Sequence, residues 1–128
     1  MEYFFLLLDI PTVTIPQNSY SVVTGQDVQI PCSVSASPSA SISWIFISTS
    51  QSQITISSST FKYTFNPTST DGTLTVRSTT SSDTGTYRCQ ATNAVGTASD
   101  SASLSVSGSE FFFVYFIIPE KAFLDVRK

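Results

Sequence analysis

Asp83-Thr84-Gly85-Thr86-Tyr87-Arg88-Cys89-Gln90-Ala91 is the stretch whose reading decides the fold. Tyr87, Cys89 and Ala91 share one parity, while Thr86, Arg88 and Gln90 fill the other. Alternation of apolar and polar side chains with period two belongs to a strand with one buried face. The same signal recurs on either side. Upstream lie Val28, Ile30, Cys32 and Val34, then Ile42, Trp44 and Phe46, then Phe61, Tyr63 and Phe65, then Leu74 and Val76 after an Asp71-Gly72 turn. Downstream, Ala102, Leu104 and Val106 repeat it. No segment with helical period competes.

Six such runs, each with polar residues between the apolar ones, need two antiparallel sheets packed face to face. Ser and Thr make up 41 of the 128 residues, and they alternate with apolar residues as they do on the wet face of a strand. Pro31 stands inside one run. Proline has no N–H for a ladder, so an edge, a bulge or a gap in pairing is expected there.

Composition narrows the function by elimination. Net charge is −3, and the six basic residues are scattered rather than gathered on a stripe, so nucleic acid is not an expected partner. The chain has no histidine and no CxxC, which removes zinc and redox motifs and the Ser-His-Asp and Cys-His triads. It also lacks a GxSxG elbow, a phosphate-cradling glycine loop and a calcium loop. No enzyme activity, cofactor, metal or small-molecule substrate is therefore expected. Two cysteines 57 residues apart are either one bridge or two buried thiols.

The residues carry a resemblance. Cys32, then Trp44, then Asp83-Thr-Gly85-Thr-Tyr87-Arg-Cys89, followed by Gln90-Ala-Thr-Asn93-Ala-Val-Gly96, resembles the immunoglobulin framework. The intermediate (I-set) type of cell-adhesion, hemicentin-like and titin-like proteins is the nearest pattern. The resemblance covers residues 11–107. It implies an all-β Greek-key sandwich of seven or eight strands. It also implies a Cys32–Cys89 disulfide between the sheets, Trp44 packed on that bridge, and Tyr87 as a tyrosine corner near Asp83. Gly85 suits a tight corner and Gly96 a hairpin turn. A structural disulfide in turn implies an oxidising, extracellular setting.

Both ends break from this composition. In residues 1–10 the apolar run Tyr3–Leu8 is six long, with no basic flank before it, short of the roughly 7–15 of a signal peptide. Residues 108–128 contain Phe111–Ile118, eight apolar residues where a membrane helix needs about 20. Seven of the ten phenylalanines lie outside residues 11–107, as translated non-coding sequence beside an exon would place them.

With Trp44 inward, Ile45 and Ile47 point outward on their strand, and Arg88 and Gln90 are expected beside them. An aliphatic centre flanked by Arg and Gln is plausible interface chemistry. The expected function is an extracellular adhesion or recognition module with a protein partner, such as another immunoglobulin domain bound homophilically or as a neighbour. A structural spacer of a matrix or titin-like protein is the alternative. A variable-type immune receptor ranks below both, because Ser35–Ser41 lacks the Tyr and Trp that paratopes favour.

Overall fold

The alternating runs become ten β segments in a computed structural model that describes residues 8–58 and 60–108. The expectations for residues 1–7 and 109–128, Phe111–Ile118 among them, lie outside the described residues. In chain order the segments are β1 (Asp9–Thr14), β2 (Ser19–Val23), β3 (Val28–Ile30), β4 (Ser33–Ser37) and β5 (Ser41–Ser48). There follow β6 (Gln53–Ile56), β7 (Tyr63–Thr64), β8 (Leu74–Val76), β9 (Gly85–Thr92) and β10 (Thr97–Ser107). The expected interruption at Pro31 separates β3 from β4, since proline leaves no N–H for the ladder. With β1 and β2 counted as one strand and β3 and β4 as another, the sandwich has eight.

One layer is the five-stranded sheet β2-β10-β9-β5-β6. The other combines β3-β8-β7 with the pair β1-β4. A bridge between Ser33 and Asp71 joins those two groups, supported by Gly72 N–H donating to the Cys32 carbonyl at 2.8 Å. The pairs are antiparallel except β10 with β2, which run parallel from Ser103↔Ser19 to Ser107↔Val23. The first strand therefore serves both layers, β1 in one and β2 in the other.

Between the layers lie the side chains that the alternation assigned inward. Trp44, Tyr87, Ile30, Leu74, Leu104 and Val76 are fully buried. Cys32 and Cys89 form the disulfide that links the layers. The Trp44 indole N–H donates to the Gly72 carbonyl at 2.8 Å, which leaves the ring dry and satisfied. A side chain at Gly85 would meet the Ile47 carbonyl at 2.5 Å and the Phe46 ring at 2.7 Å, so β5 and β9 close on each other only over glycine.

One local reading is corrected. Phe61 is 82% exposed rather than inward. The Thr60 hydroxyl accepts from Tyr63 N–H and Thr60 N–H donates to the Tyr63 carbonyl, so the chain turns there and alternation starts only at Tyr63. Asp71 opens an Asx-turn and also joins the strand pairing: its carboxylate accepts from Thr73 N–H and Thr73 Oγ1, and its backbone bridges Ser33. These bonds hold the Asp71 carboxyl below the usual carboxylate range.

Tyr87 shows what the corner does. Its hydroxyl donates to the Asp83 carbonyl at 2.8 Å, while the Asp83 carboxylate accepts from Thr80 N–H at 2.8 Å and from Lys62 Nζ at 2.7 Å. Burial first, then Tyr63 and Asp83, push the Tyr87 phenol far above its ordinary 10.0. Burial and then Asp83 push Tyr63 up as well. The Tyr87 phenol stays neutral in the fold where the unfolded chain would ionise it. Stability from this source is complete below about pH 10 and falls as pH rises above it, by about 1.4 kcal/mol per pH unit for Tyr87. Denaturant midpoints measured from pH 8 to 12 are expected to decline only beyond about 10. A midpoint flat to pH 12 would show that the phenol is not held neutral.

Candidate functional site

The outer face of the five-stranded sheet holds the four residues singled out as an interface. Register places Ile45 opposite Arg88, Ser43 opposite Gln90 and Ile47 opposite Thr86. On the far side of β5, Thr55 faces Ile45 and Gln53 faces Ile47. Next to β9, Ser101 faces Arg88 and Ser99 faces Gln90. Ile45, Ile47, Arg88 and Gln90 thus share one face across two adjacent strands, and all four are half-buried.

Why they are not fully open follows from Arg88. Its Nη2 donates to Gln53 Oε1 at 3.4 Å, although Gln53 stands on β6 with β5 in between. The arginine side chain has to cross β5 to make that bond, and its aliphatic stem lies over the isoleucine row. Its Nε–H is buried without a partner. Gln53 was not among the residues read as an interface. The β6 segment carries only two apolar residues, Ile54 and Ile56, so its alternation is too short to mark a strand.

A second surface lies at the pole where the described chain begins. Leu8, Ile10 and Val95 are 55%, 52% and 42% exposed, three of the five large apolar side chains that stand out among the described residues. They line a groove of about 610 Å³ with Thr12, Ala36 and Ser37. The β1 strand starts at Asp9, two residues before the boundary expected from composition. Asn93 holds the pole together. Its Oδ1 accepts from Val95 N–H and Gly96 N–H, and its Nδ2 donates to the carbonyls of Asp9 at 2.8 Å and Pro38 at 3.0 Å. Three separate chain segments are pinned by one amide, which no local pattern in the sequence reveals.

Among the described residues no group of three or more His, Cys, Asp or Glu could hold a metal. None of their helices is long and apolar enough to cross a membrane.

The Immunoglobulin I-set domain family model matches residues 11–106. The chain is similar to a Titin homolog of Caenorhabditis elegans, 32% identical over 96 residues, which are 75% of this chain and, as a rounded share, 0% of that protein. It spans a very small part of that relative. Among solved structures it is similar to titin M4, with a TM-score of 0.69 and 30% identity over 79% of this chain and 99% of that one. It is also similar to the titin domains z1z2 in complex with telethonin, with a TM-score of 0.66 and 28% identity over 80% of this chain and 50% of that one. Modules of this family are typically non-catalytic.

These relatives overturn the extracellular expectation, since titin is an intracellular sarcomeric protein and the fold alone sets no compartment. The step that fails runs from the bridge to the compartment. Two cysteines facing each other across a core are small buried apolar groups whether oxidised or not, so their positions fit either setting.

Proposed function

Because the chain belongs to the immunoglobulin I-set family, we propose that it is a non-catalytic structural module of a titin-like multi-domain protein, seated against a neighbouring module. The observation that carries this reading is the apolar pole of Leu8, Ile10 and Val95. A lone module gains nothing by exposing three large aliphatic side chains together at one end. A neighbour seated there would cover them, adding about 2–4 kcal/mol before ordering costs are subtracted. The opposite end, around Thr24, Gly25, Thr49 and Ser50, is exposed and polar. The complex of titin z1z2 with telethonin supports protein partners for modules of this kind.

The test joins this module to the domain that its full-length transcript encodes immediately upstream. The tandem is expected to raise the melting temperature of this module by roughly 4–8 °C for each kcal/mol of contact. Ile10→Ser with Val95→Ser should remove that increment and leave the isolated module nearly unchanged. A transcript with no adjoining immunoglobulin-type domain, or a tandem with no increment, refutes the reading.

A further inference from the structure

The outer face of the five-stranded sheet is nearly free of charge. On β5, β6, β9 and β10 its outward positions are Ser, Thr and Gln around Ile45, Ile47 and Arg88. No outward position of these strands carries Asp or Glu. Arg88 is the one ionised side chain on the face, and among the described residues it has no carboxylate partner. Four of the five described aspartates are engaged elsewhere, Asp71 with Thr73 among them, and Asp9 stands on β1 of the other layer. Asp83 pairs Lys62, Asp100 accepts from the Ile15 and Ser101 amides, and Asp27 accepts from the Ser78 amide.

A guanidinium that is half-buried, has one long bond to an amide and carries a buried unpaired Nε–H is poorly compensated. Such a group gains most from a carboxylate, which its planar fork matches on two donors. The isoleucines beneath it supply the apolar ring that excludes water around a charged contact.

We propose that this face docks a protein partner that presents a carboxylate to Arg88, with aliphatic side chains on either side of that carboxylate resting on Ile45 and Ile47. The partner is not a second copy meeting this one face to face. A two-fold contact of this face with itself would set Arg88 near its symmetry mate and bring no carboxylate to either. The surface is separate from the pole and stands whether or not a neighbour covers Ile10 and Val95.

The test uses the full chain with two designed β-hairpin peptides. One displays Ile-Glu-Ile on a single face, and the other displays Ile-Gln-Ile on the same scaffold. Two-dimensional NMR follows the Arg88 Nε–H and the methyl groups of Ile45 and Ile47. The Glu peptide is expected to shift all three saturably, at least tenfold more tightly than the Gln peptide, and to weaken as salt is raised. Arg88→Gln should erase that tenfold preference with its thermal melt unchanged, while Arg77→Gln on the other layer should preserve it. Equal response to both peptides, or no response to either, overturns the proposal. So does sedimentation showing the wild type dimerising in a way that Arg88→Gln strengthens.

Discussion

Protein carrying Cys32→Ala and Cys89→Ala together is expected to unfold with more than about 4 kcal/mol less free energy than the bridged form, the cross-link's share plus the cost of the void. The bridge spans 57 residues. In the chain-entropy model, closing a loop of that length removes roughly 4 kcal/mol worth of freedom from the unfolded ensemble. A domain of this size has about 5–15 kcal/mol in all, so the loss moves it close to its threshold. Urea titration of three samples reads the effect: oxidised wild type, reduced wild type and the double alanine variant. Because the fold does not set the compartment, the reduced wild type matters as much as the oxidised one. It should fall between the other two, since thiols keep the core filled while alanines leave a void. If oxidised and reduced wild type share one midpoint, the bridge contributes nothing, and packing alone holds the layers together.

Trp44→Ala is the second large effect, expected to cost about 3–5 kcal/mol. The indole is fully buried on β5, and its register partner on β9 is Cys89 of the bridge. Truncation would open a cavity between two layers that cannot both collapse into it, because β5 is tied on both sides to β6 and β9. It would also strip the Gly72 carbonyl of its donor, where the other sheet passes from the Asp71 bridge into β8. Trp44→Phe separates these contributions. It keeps most of the ring and loses the hydrogen bond, so it should cost about 1–3 kcal/mol, the penalty of an unsatisfied buried acceptor. Denaturant midpoints with an unchanged slope would give both numbers. A Trp44→Ala variant within 1 kcal/mol of wild type would mean that the core repacks freely around the bridge.

Period two in the sequence was enough to determine an all-β sandwich and nearly all of its core. Burial on one face forces alternation directly into the order of residues, and a one-residue slip would turn every side chain outward. Ile30, Trp44, Leu74, Tyr87 and Leu104 could therefore be assigned inward from the sequence. The framework spacing likewise marked Cys32, Cys89 and the Tyr87 corner. Alternation failed where it was short or interrupted. Phe61 has the parity of Tyr63 but stands inside the turn from Thr60 to Tyr63, and β6 is too brief to announce itself.

Only the tertiary structure decided what the surfaces can do. Arg88 reaching over β5 to Gln53, 35 residues away, depends on which strands are neighbours, and strand order is not written in any local pattern. Asn93 gathering Asp9 and Pro38, and Leu8 and Ile10 meeting Val95 at one pole, have the same origin. Core positions repeat a rule that each residue obeys beside its own neighbours. Contact surfaces join residues that share nothing in sequence except the place to which the fold carries them.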